Sequence, residues 1–323
     1  MRRKMSAANR LYNGIMVNVF IDGKEGTTGL QIFDRLGKRE DVRFSVLPEE
    51  LRKDVDARRE KINAADIVFL CLPDAAARES VSLCENERVK IIDASTAHRT
   101  DKAWAYGFPE LSAEHRKKIA ASRRVAVPGC HASGFISLVY PLVAGKILSP
   151  EYPFVCHSVT GYSGGGKKMI AEYEAEGRSP LLDSPRQYGT AQMHKHLPEM
   201  KAVCGLQFEP VFNPIVSDYY SGMCVTVPIC GRLLNKKMSV NDIKSYFAEY
   251  YATGNFIKIA DEMPAYLPAN ELAGTNGMKI YVGGNDERIL LASVFDNLGK
   301  GASGAAVQCM NIMLGLDERT SLL

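Results

Sequence analysis

The feature that most constrains the fold is a short β-rich run that leads through a glycine loop into a helix. Residues 17–21 read Val-Asn-Val-Phe-Ile, and the loop that follows is Gly23-Lys24-Glu25-Gly26-Thr27-Thr28-Gly29. Apolar residues then recur at helical spacing over 30–36. A strand, a glycine turn and a helix in this order begin a nucleotide-binding βαβ unit. We therefore expect Gly23, Gly26, Thr27, Thr28 and Gly29 to bind a dinucleotide pyrophosphate, aided by the positive end of the helix dipole.

The second strand bears on which dinucleotide is bound. It carries no clear acidic residue at its end, where an NAD site grips the ribose 2′-hydroxyl. Ser45, with Arg52 and Lys53 nearby, would suit a 2′-phosphate, so the sequence favours NADP. Glu49 and Glu50 are close enough along the chain to keep NAD open.

The alternation of strands and helices up to about residue 130 predicts an α/β domain with a doubly wound parallel sheet, a Rossmann domain. One strand, 67–72, is nearly all apolar, as expected for a strand buried on both faces. The second half predicts an α+β domain with a mixed or antiparallel sheet, and the last segment, 301–316, an amphipathic helix. Other helices are expected at 49–63, 75–84, 132–146, 165–175 and 240–251.

Composition excludes several classes. The eight cysteines include no C-x-x-C pair, so no metal site is expected, and their scatter along a long chain favours a reducing, cytoplasmic compartment. A net charge of +3 gives no support for nucleic-acid binding. No stretch approaches the ~20 apolar residues of a membrane span. Residues 1–15 are basic, lack the apolar core of a signal peptide and are expected to be disordered or an extension.

Cys130 is the strongest candidate for a nucleophile. It follows a short apolar strand in the run Val127-Pro128-Gly129-Cys130, and a helix is expected directly after it. A helix N-terminus favours the thiolate, which is the reactive form of cysteine. The alternative, a buried structural thiol, stays open on this motif alone because cysteine is among the most buried residue types.

The segment His194-Lys195-His196-Leu197-Pro198-Glu199 is the candidate acid–base element. An H-x-H pair could bind a metal, but no ligand set accompanies it. Histidine exchanges protons near neutral pH, and a carboxylate such as Glu199 can orient an imidazole. A solvated polar segment is the alternative, and the choice between the two histidines stays open.

Two further polar segments are candidate binding elements. Arg99, after the fourth strand, could clamp a carboxylate or phosphate with its guanidinium fork. The glycine-rich run 161–168 precedes a helix and could bind an anion or simply turn.

Taken together, these motifs resemble those of the N-acetyl-γ-glutamyl-phosphate reductases, in their shorter form, within the aspartate-semialdehyde dehydrogenase superfamily. The resemblance covers most of the chain, from Val17 to about Leu316. The segments that carry it are 23–29, 93–99, 127–130, 161–167, 194–199 and 296–304.

The resemblance implies an NADPH-dependent reduction of N-acetyl-γ-glutamyl phosphate to the semialdehyde in arginine biosynthesis, through a thioester on Cys130. His196, oriented by Glu199, would transfer protons. The segment after residue 296 would return to the cofactor domain, giving domains of 16–131 plus 297–323 and of 132–296, the latter catalytic and dimerising. A homo-oligomer, dimer or tetramer, acting on a small-molecule substrate is implied. Further cofactor contacts would come from Ser95, Gly164, Gly165, Asn297, Lys300 and Gly301, and substrate contacts from Arg99, Arg186, Tyr188 and His194.

Three alternatives remain at this point. Aspartate-semialdehyde dehydrogenase shares the cysteine, the histidine and the cofactor. A cysteine hydrolase or acyltransferase would use Cys130 and His196, but it has no need of the glycine loop. A non-catalytic nucleotide-binding regulator would have no reason to combine that cysteine with the histidine segment.

Overall fold

The structure, a computed structural model, describes residues 16–322, and the expectation for residues 1–15 lies outside them. The chain forms two compact units. One unit comprises the described residues up to Pro128 together with those from Ser303 onward, and the other comprises Gly129–Ala302. The sequence instead predicted domain boundaries after residue 131 and before residue 297.

The elements are numbered in chain order. The strands are β1 (Val17–Asp22), β2 (Val42–Ser45), β3 (Ile67–Leu70), β4 (Lys90–Asp93), β5 (Ala105–Tyr106), β6 (Arg124–Ala126), β7 (Val155–Gly161), β8 (Arg186–Gln187), β9 (Val211–Ser217), β10 (Met223–Cys230), β11 (Ile257–Ile259), β12 (Met278–Asn285) and β13 (Arg288–Phe295). The helices are α1 (Thr27–Leu36), α2 (Val55–Ala64), α3 (Asp74–Ser82), α4 (Ala113–Ala121), α5 (Cys130–Ala144), α6 (Gly166–Glu174), α7 (Leu197–Cys204), α8 (Val240–Tyr250) and α9 (Gly304–Met313).

The first unit contains a parallel sheet in the order β2-β1-β3-β4-β6-β5. Every neighbouring pair runs parallel, and the chain moves outward from β1 in both directions, which is the doubly wound arrangement. Each residue of β3 is buried, as its apolar sequence predicted. The predicted Rossmann architecture is confirmed.

The second unit contains a mixed sheet in the order β11-β12-β13-β10-β7-β9-β8. The pairs β11–β12 and β7–β9 are parallel, and the other neighbours are antiparallel. Helix α5 packs on β10 and β13, and it approaches so closely that a Cβ on Gly134 would lie 2.3 Å from the Val225 side chain. The predicted α+β architecture with a mixed sheet is also confirmed.

Three helix predictions need correction. The polar helix expected over 49–63 begins only at Val55, because a 3₁₀ turn covers Glu49–Leu51 and the Asp54 side chain then caps the helix by accepting from Ala57 N–H at 2.8 Å. The helix expected from 132 begins at Cys130, since Gly129 takes the extended N-cap conformation.

The third correction concerns the last helix, which was expected to be amphipathic. A π-helical turn at Gly299–Ser303 precedes α9, and all residues of α9 are buried, because the helix packs against α1, α4 and β4. Its polar positions are satisfied inside the unit. Gln308 Nε2 donates to Glu110 Oε1 at 2.8 Å, and Asn311 Nδ2 donates to the Thr320 carbonyl at 2.9 Å. Within 16–322 no helix combines the length and apolar character needed to cross a membrane.

Candidate active site

Cys130 is the first residue of α5, and the turn before it is tied to α7. Gly129 is the N-cap, and its backbone N–H donates to Glu199 Oε1 at 2.8 Å. Glu199 lies in the first turn of α7 and is 1% exposed. The carboxylate of the histidine segment is thereby held at the N-terminus of the cysteine's own helix.

The histidine segment meets His131, the residue after the cysteine. The ring centroid of His131 lies 5.6 Å from that of His194 and 5.5 Å from that of His196. The rings of His194 and His196 are 4.7 Å apart, and the backbone N–H of His196 donates to His194 Nδ1 at 3.2 Å. Two motifs that are distant in sequence thus form one cluster of imidazoles beside the start of α5.

His131 is buried and bridges two hydroxyl groups. Its Nδ1 lies 2.7 Å from Ser158 Oγ on β7, and its Nε2 lies 2.7 Å from the Tyr188 hydroxyl. Burial, with smaller electrostatic contributions from His194 and Lys195, lowers the pKa of His131 to about 3. The imidazole is therefore neutral at physiological pH.

Neither His131 nor Ser158 was singled out by the sequence analysis. The position of His131 in the first turn after the proposed nucleophile was a signal that could have been used. Ser158 is one polar residue in an alternating strand, and nothing in its sequence surroundings marks it.

Tyr188 and Gly301 also lie near Cys130. Burial raises the pKa of the Tyr188 phenol above its usual range, and the charge of Cys130 raises it further, so the two side chains are within electrostatic reach. A Cβ on Gly301 would lie 2.9 Å from the Cβ of Cys130. The chain thus passes against the cysteine at a point where a side chain has no room.

Two other cysteines of this unit, Cys156 and Cys204, provide a contrast. Burial raises the pKa of the Cys156 and Cys204 thiols, which keeps them protonated at neutral pH. Both are fully enclosed, whereas Cys130 is partly exposed. No disulfide links any two of the eight cysteines, all of which lie in the described range.

The two predicted substrate arginines make contacts within their own units. The guanidinium of Arg186 donates to the Tyr173 hydroxyl at 3.0 and 3.2 Å and lies 3.5 Å from a Glu172 carboxylate oxygen. Arg99, in the first unit, donates to the backbone carbonyls of Val127 at 2.9 Å and Ala94 at 3.1 Å. Each guanidinium is oriented by these bonds.

Asn297, one of the predicted cofactor residues of the second unit, is 2% exposed. Its Oδ1 accepts from Gly222 N–H at 2.8 Å, and its Nδ2 donates to Ser163 Oγ at 3.0 Å. A Cβ on Gly164 would lie 3.4 Å from Asn297 Nδ2. Asn297 therefore anchors the 3₁₀ turn Tyr162–Gly165 that leads into α6. Lys300 is also buried, with its Nζ 5.6 Å from the centre of the Phe256 ring.

In the first unit, the glycine loop borders a cavity of about 320 Å³. Gly26 is the N-cap of α1 and no side chain caps it, so the first N–H groups of the helix are available to an anion. Gly23 has φ +88°, and a Cβ there would lie 2.4 Å from the Cys71 carbonyl oxygen. Among the described residues, Thr27 Oγ1 is buried and has no hydrogen-bond partner, as expected for a ligand-binding hydroxyl.

The residues predicted to bind the ribose end of the cofactor also line this cavity. Its lining includes Ser45, Arg52, Lys53 and Glu49. Arg52 and Glu49 form an exposed ion pair at 3.3 Å. Ser95, the remaining predicted cofactor residue of this unit, is buried and donates its hydroxyl to Asp93 Oδ2 at 2.8 Å. Within residues 16–322, no group of three or more His, Cys, Asp or Glu side chains is placed to hold a metal ion.

Two family models match the chain. Residues 19–119 match the NAD binding domain of semialdehyde dehydrogenase, and residues 130–297 match the dimerisation domain of semialdehyde dehydrogenase. The unit that contains the glycine loop is therefore a nicotinamide-nucleotide-binding domain.

Curated relatives are similar over almost their whole length. A protein of Nostoc sp. named N-acetyl-gamma-glutamyl-phosphate reductase 2 is 44% identical over 317 residues, which cover 94% of this chain and 98% of the relative. A protein of Chelativorans sp. named N-acetyl-gamma-glutamyl-phosphate reductase is 45% identical over 304 residues, covering 92% and 97%.

Solved structures share the fold. Aspartate semialdehyde dehydrogenase II of Vibrio cholerae matches with a TM-score of 0.68 at 15% identity, covering 93% of this chain and 98% of that one. The Candida albicans aspartate semialdehyde dehydrogenase, solved with NADP, matches with a TM-score of 0.65 at 14% identity, covering 92% and 98%. At this identity the likeness shows the architecture.

Proposed function

The chain belongs to the N-acetyl-γ-glutamyl-phosphate reductase family, and we propose on that premise that it reduces N-acetyl-γ-glutamyl phosphate to N-acetylglutamate semialdehyde and phosphate, with NADPH, in arginine biosynthesis. The family predicted from the motifs is thereby confirmed. The observation that carries the proposed reaction is the placement of Cys130 at the N-terminus of α5, beside the imidazole cluster and the Glu199 carboxylate.

The chemistry assigned to the chain is acyl transfer to sulfur followed by release of an aldehyde. Cys130 Sγ attacks the carbonyl carbon of the acyl phosphate as His196 accepts the thiol proton; the C–S bond forms, the C–O bond to phosphate breaks, and a thioester results. Bound NADPH would supply the hydride that reduces this thioester. The resulting thiohemiacetal oxyanion re-forms the carbonyl as the C–S bond breaks, and His196, held by its segment with Glu199, returns its proton to the departing Cys130 sulfur.

NADP as the specific cofactor is supported by the lining of the cavity at the glycine loop. Arg52, Lys53 and Ser45 all line this cavity. Two cations and a hydroxyl suit a 2′-phosphate better than a ribose hydroxyl. The uncapped N-terminus of α1 and the buried Thr27 hydroxyl suit the pyrophosphate.

The remaining site assignments are proposals of the same kind. Arg99, Arg186, Tyr188 and His194 are assigned to the substrate. Ser95, Gly164, Gly165, Asn297, Lys300 and Gly301 are assigned to the cofactor, directly or through the loops that they shape. We also infer a cytoplasmic homo-oligomer. The absence of disulfides among the eight cysteines and the dimerisation-domain match support this inference.

The test is the reverse reaction. Purified protein should reduce NADP in the presence of N-acetylglutamate semialdehyde and phosphate, seen as absorbance of the reduced nicotinamide. Cys130→Ala should lower kcat by about 10³-fold or more, and Cys230→Ser, a partly exposed cysteine of the same unit, should leave it unchanged. Activity of Cys130→Ala at the wild-type level would rule out the nucleophile.

Two further comparisons separate the alternatives. Turnover of aspartate semialdehyde in place of the N-acetylated substrate would assign the chain to that dehydrogenase. Hydrolysis of the acyl group without any nicotinamide requirement would assign it to the cysteine hydrolases.

A separate comparison concerns the two histidines. Substitution of His196 should lower the rate more than substitution of His194, and the opposite order would exchange their roles.

A further inference from the structure

We propose that the Tyr188 hydroxyl donates a hydrogen bond to the carbonyl oxygen of the acyl group that Cys130 attacks, and that Ser158 and His131 orient it for this purpose. The acyl group is the one assigned under the proposed function, and the inference rests on that assignment. Tyr188 would then be a catalytic residue, and His131 and Ser158 would be positioning residues.

The Ser158 hydroxyl decides which atom donates and which accepts in the two hydrogen bonds of His131. Its side chain is fully buried on β7, and among the described residues the partner of its hydroxyl is His131 Nδ1, at 2.7 Å. A buried hydroxyl proton without an acceptor costs about 1–3 kcal/mol. Ser158 therefore donates to Nδ1, and Nδ1 accepts.

The tautomer of His131 follows from that bond. A neutral imidazole whose Nδ1 accepts must carry its proton on Nε2. Its Nε2–H then donates to the Tyr188 oxygen, 2.7 Å away. The low pKa of His131, a result mainly of its burial, keeps the ring in this neutral form.

Tyr188 is left with its own proton to donate. Its oxygen accepts from His131, so its O–H must point away from the imidazole. The side chain is partly exposed, and the charge of Cys130 acts on its phenol. The hydrogen bonds from Ser158 to His131 and from His131 to Tyr188 thus leave the phenol proton to donate to a group bound near Cys130.

A donor in this place has a chemical use. When Cys130 Sγ adds to the acyl carbon, the carbonyl π electrons move to oxygen, and the charge collapses back as phosphate leaves. The same oxygen becomes negative again when the thioester is reduced. A preoriented donor stabilises both transition states, and removal of one such donor typically slows the reaction about 10²–10³-fold.

The experiment measures acyl transfer to Cys130 without any nicotinamide. 4-Nitrophenyl acetate should give a burst of nitrophenolate from the wild-type enzyme, one equivalent per active cysteine. Tyr188→Phe should slow that burst about 100-fold and lower kcat of the reductase reaction similarly, with little change in KM. Tyr246→Phe removes a hydroxyl of the same unit that donates to the Pro141 carbonyl, and it should behave as wild type.

Alkylation of Cys130 by iodoacetamide forms no oxyanion and serves as the second readout. Tyr188→Phe should alkylate within about twofold of wild type, because the donor acts on the acyl oxygen and not on the sulfur. A wild-type burst rate in Tyr188→Phe would overturn the proposal. Alkylation that slows as much as the burst would overturn it too, since Tyr188 would then act on the thiolate.

The positioning residues are tested by coupling. His131→Phe keeps a ring of similar size, and it should slow the burst as much as Tyr188→Phe and add little to it in the double variant. Ser158→Ala removes the donor that fixes the tautomer of His131, and it should slow the burst about 2–10-fold. This variant tests the relay even if His131→Phe fails to fold. If the rate losses of His131→Phe and Tyr188→Phe multiplied in the double variant, they would be independent, which would contradict the relay from Ser158 through His131 to Tyr188. A wild-type burst rate in Ser158→Ala would contradict it as well.

The outcomes keep the two proposals apart. A wild-type burst that Tyr188→Phe slows, in an enzyme that does not reduce N-acetyl-γ-glutamyl phosphate, would refute the proposed substrate and leave the donor standing. Reductase activity that Tyr188→Phe leaves unchanged would support the proposed substrate and refute the donor. A wild-type enzyme that forms no acyl-enzyme would overturn both.

Discussion

The Glu199 carboxylate accepts a hydrogen bond from the backbone N–H of Gly129 at 2.8 Å, one residue before Cys130. The two residues are 70 positions apart in sequence. The bond joins the first turn of α7, which carries the histidine segment, to the N-cap of α5, which carries the cysteine. Proposed nucleophile and proposed acid–base element are thus held by one buried contact.

The first prediction concerns this contact. Glu199→Leu should lower the free energy of unfolding by about 1–3 kcal/mol, because it leaves the buried Gly129 N–H without an acceptor. Glu199→Gln keeps an acceptor oxygen, so its free energy of unfolding should fall less. Urea unfolding of the three proteins measures the difference. Equal stability of Glu199→Leu and wild type would show that the bond contributes nothing.

The second prediction concerns the pH dependence of stability. The folded pKa of His131 is about 3, below its usual 6.5, so the unfolded chain binds more protons between these values. Stability from this group is complete above about pH 6.5 and falls on acidification, at up to about 1.4 kcal/mol per pH unit. In urea unfolding, wild type should lose about 1–2 kcal/mol more than His131→Gln between about pH 7 and pH 5. Parallel losses would place the acid sensitivity elsewhere.

The third prediction concerns cofactor choice. Arg52→Ala combined with Lys53→Ala should raise KM for NADPH about 10–100-fold, the value of one or two charge-assisted hydrogen bonds, and should leave KM for NADH nearly unchanged. Lys117→Ala, an exposed cation on α4 of the same unit, is the control. A proportional rise for both nucleotides would show that the two residues do not read the 2′-phosphate.

The fourth prediction concerns Gly301. An alanine there would place its Cβ 2.9 Å from that of Cys130 and 3.1 Å from the Asp296 carbonyl oxygen, so we expect the cysteine to be displaced. Gly301→Ala should lower kcat about 10-fold or more, since small displacements of reacting groups are costly. Gly277→Ala, whose Cβ would meet its nearest atom at 3.6 Å, should be near wild type. Full activity of Gly301→Ala would mean that the loop yields and not the cysteine.

The sequence predicted those parts of the fold that depend on local pattern. Alternating strand and helix signals indicated the parallel sheet, and the glycine loop at the first turn indicated the dinucleotide site. The prediction for α9 was wrong because its sequence contains polar residues, such as Gln308 and Asn311, that read as a solvated face. Their hydrogen-bond partners in the folded unit, which include Glu110 and Thr320, allow them to be buried.

For the candidate site, the sequence by itself determined which chemical groups are present and that Cys130 would lie where a strand ends and a helix follows, because residue type and local turn geometry are properties of short segments. The tertiary structure alone decided what those groups touch. Ser158 and Tyr188 lie 27 and 57 residues from His131, and the packing of α5 on the mixed sheet brings them to its two ring nitrogens. Such contacts depend on strand order and helix packing across the whole unit, so no pattern in a short segment could have revealed them.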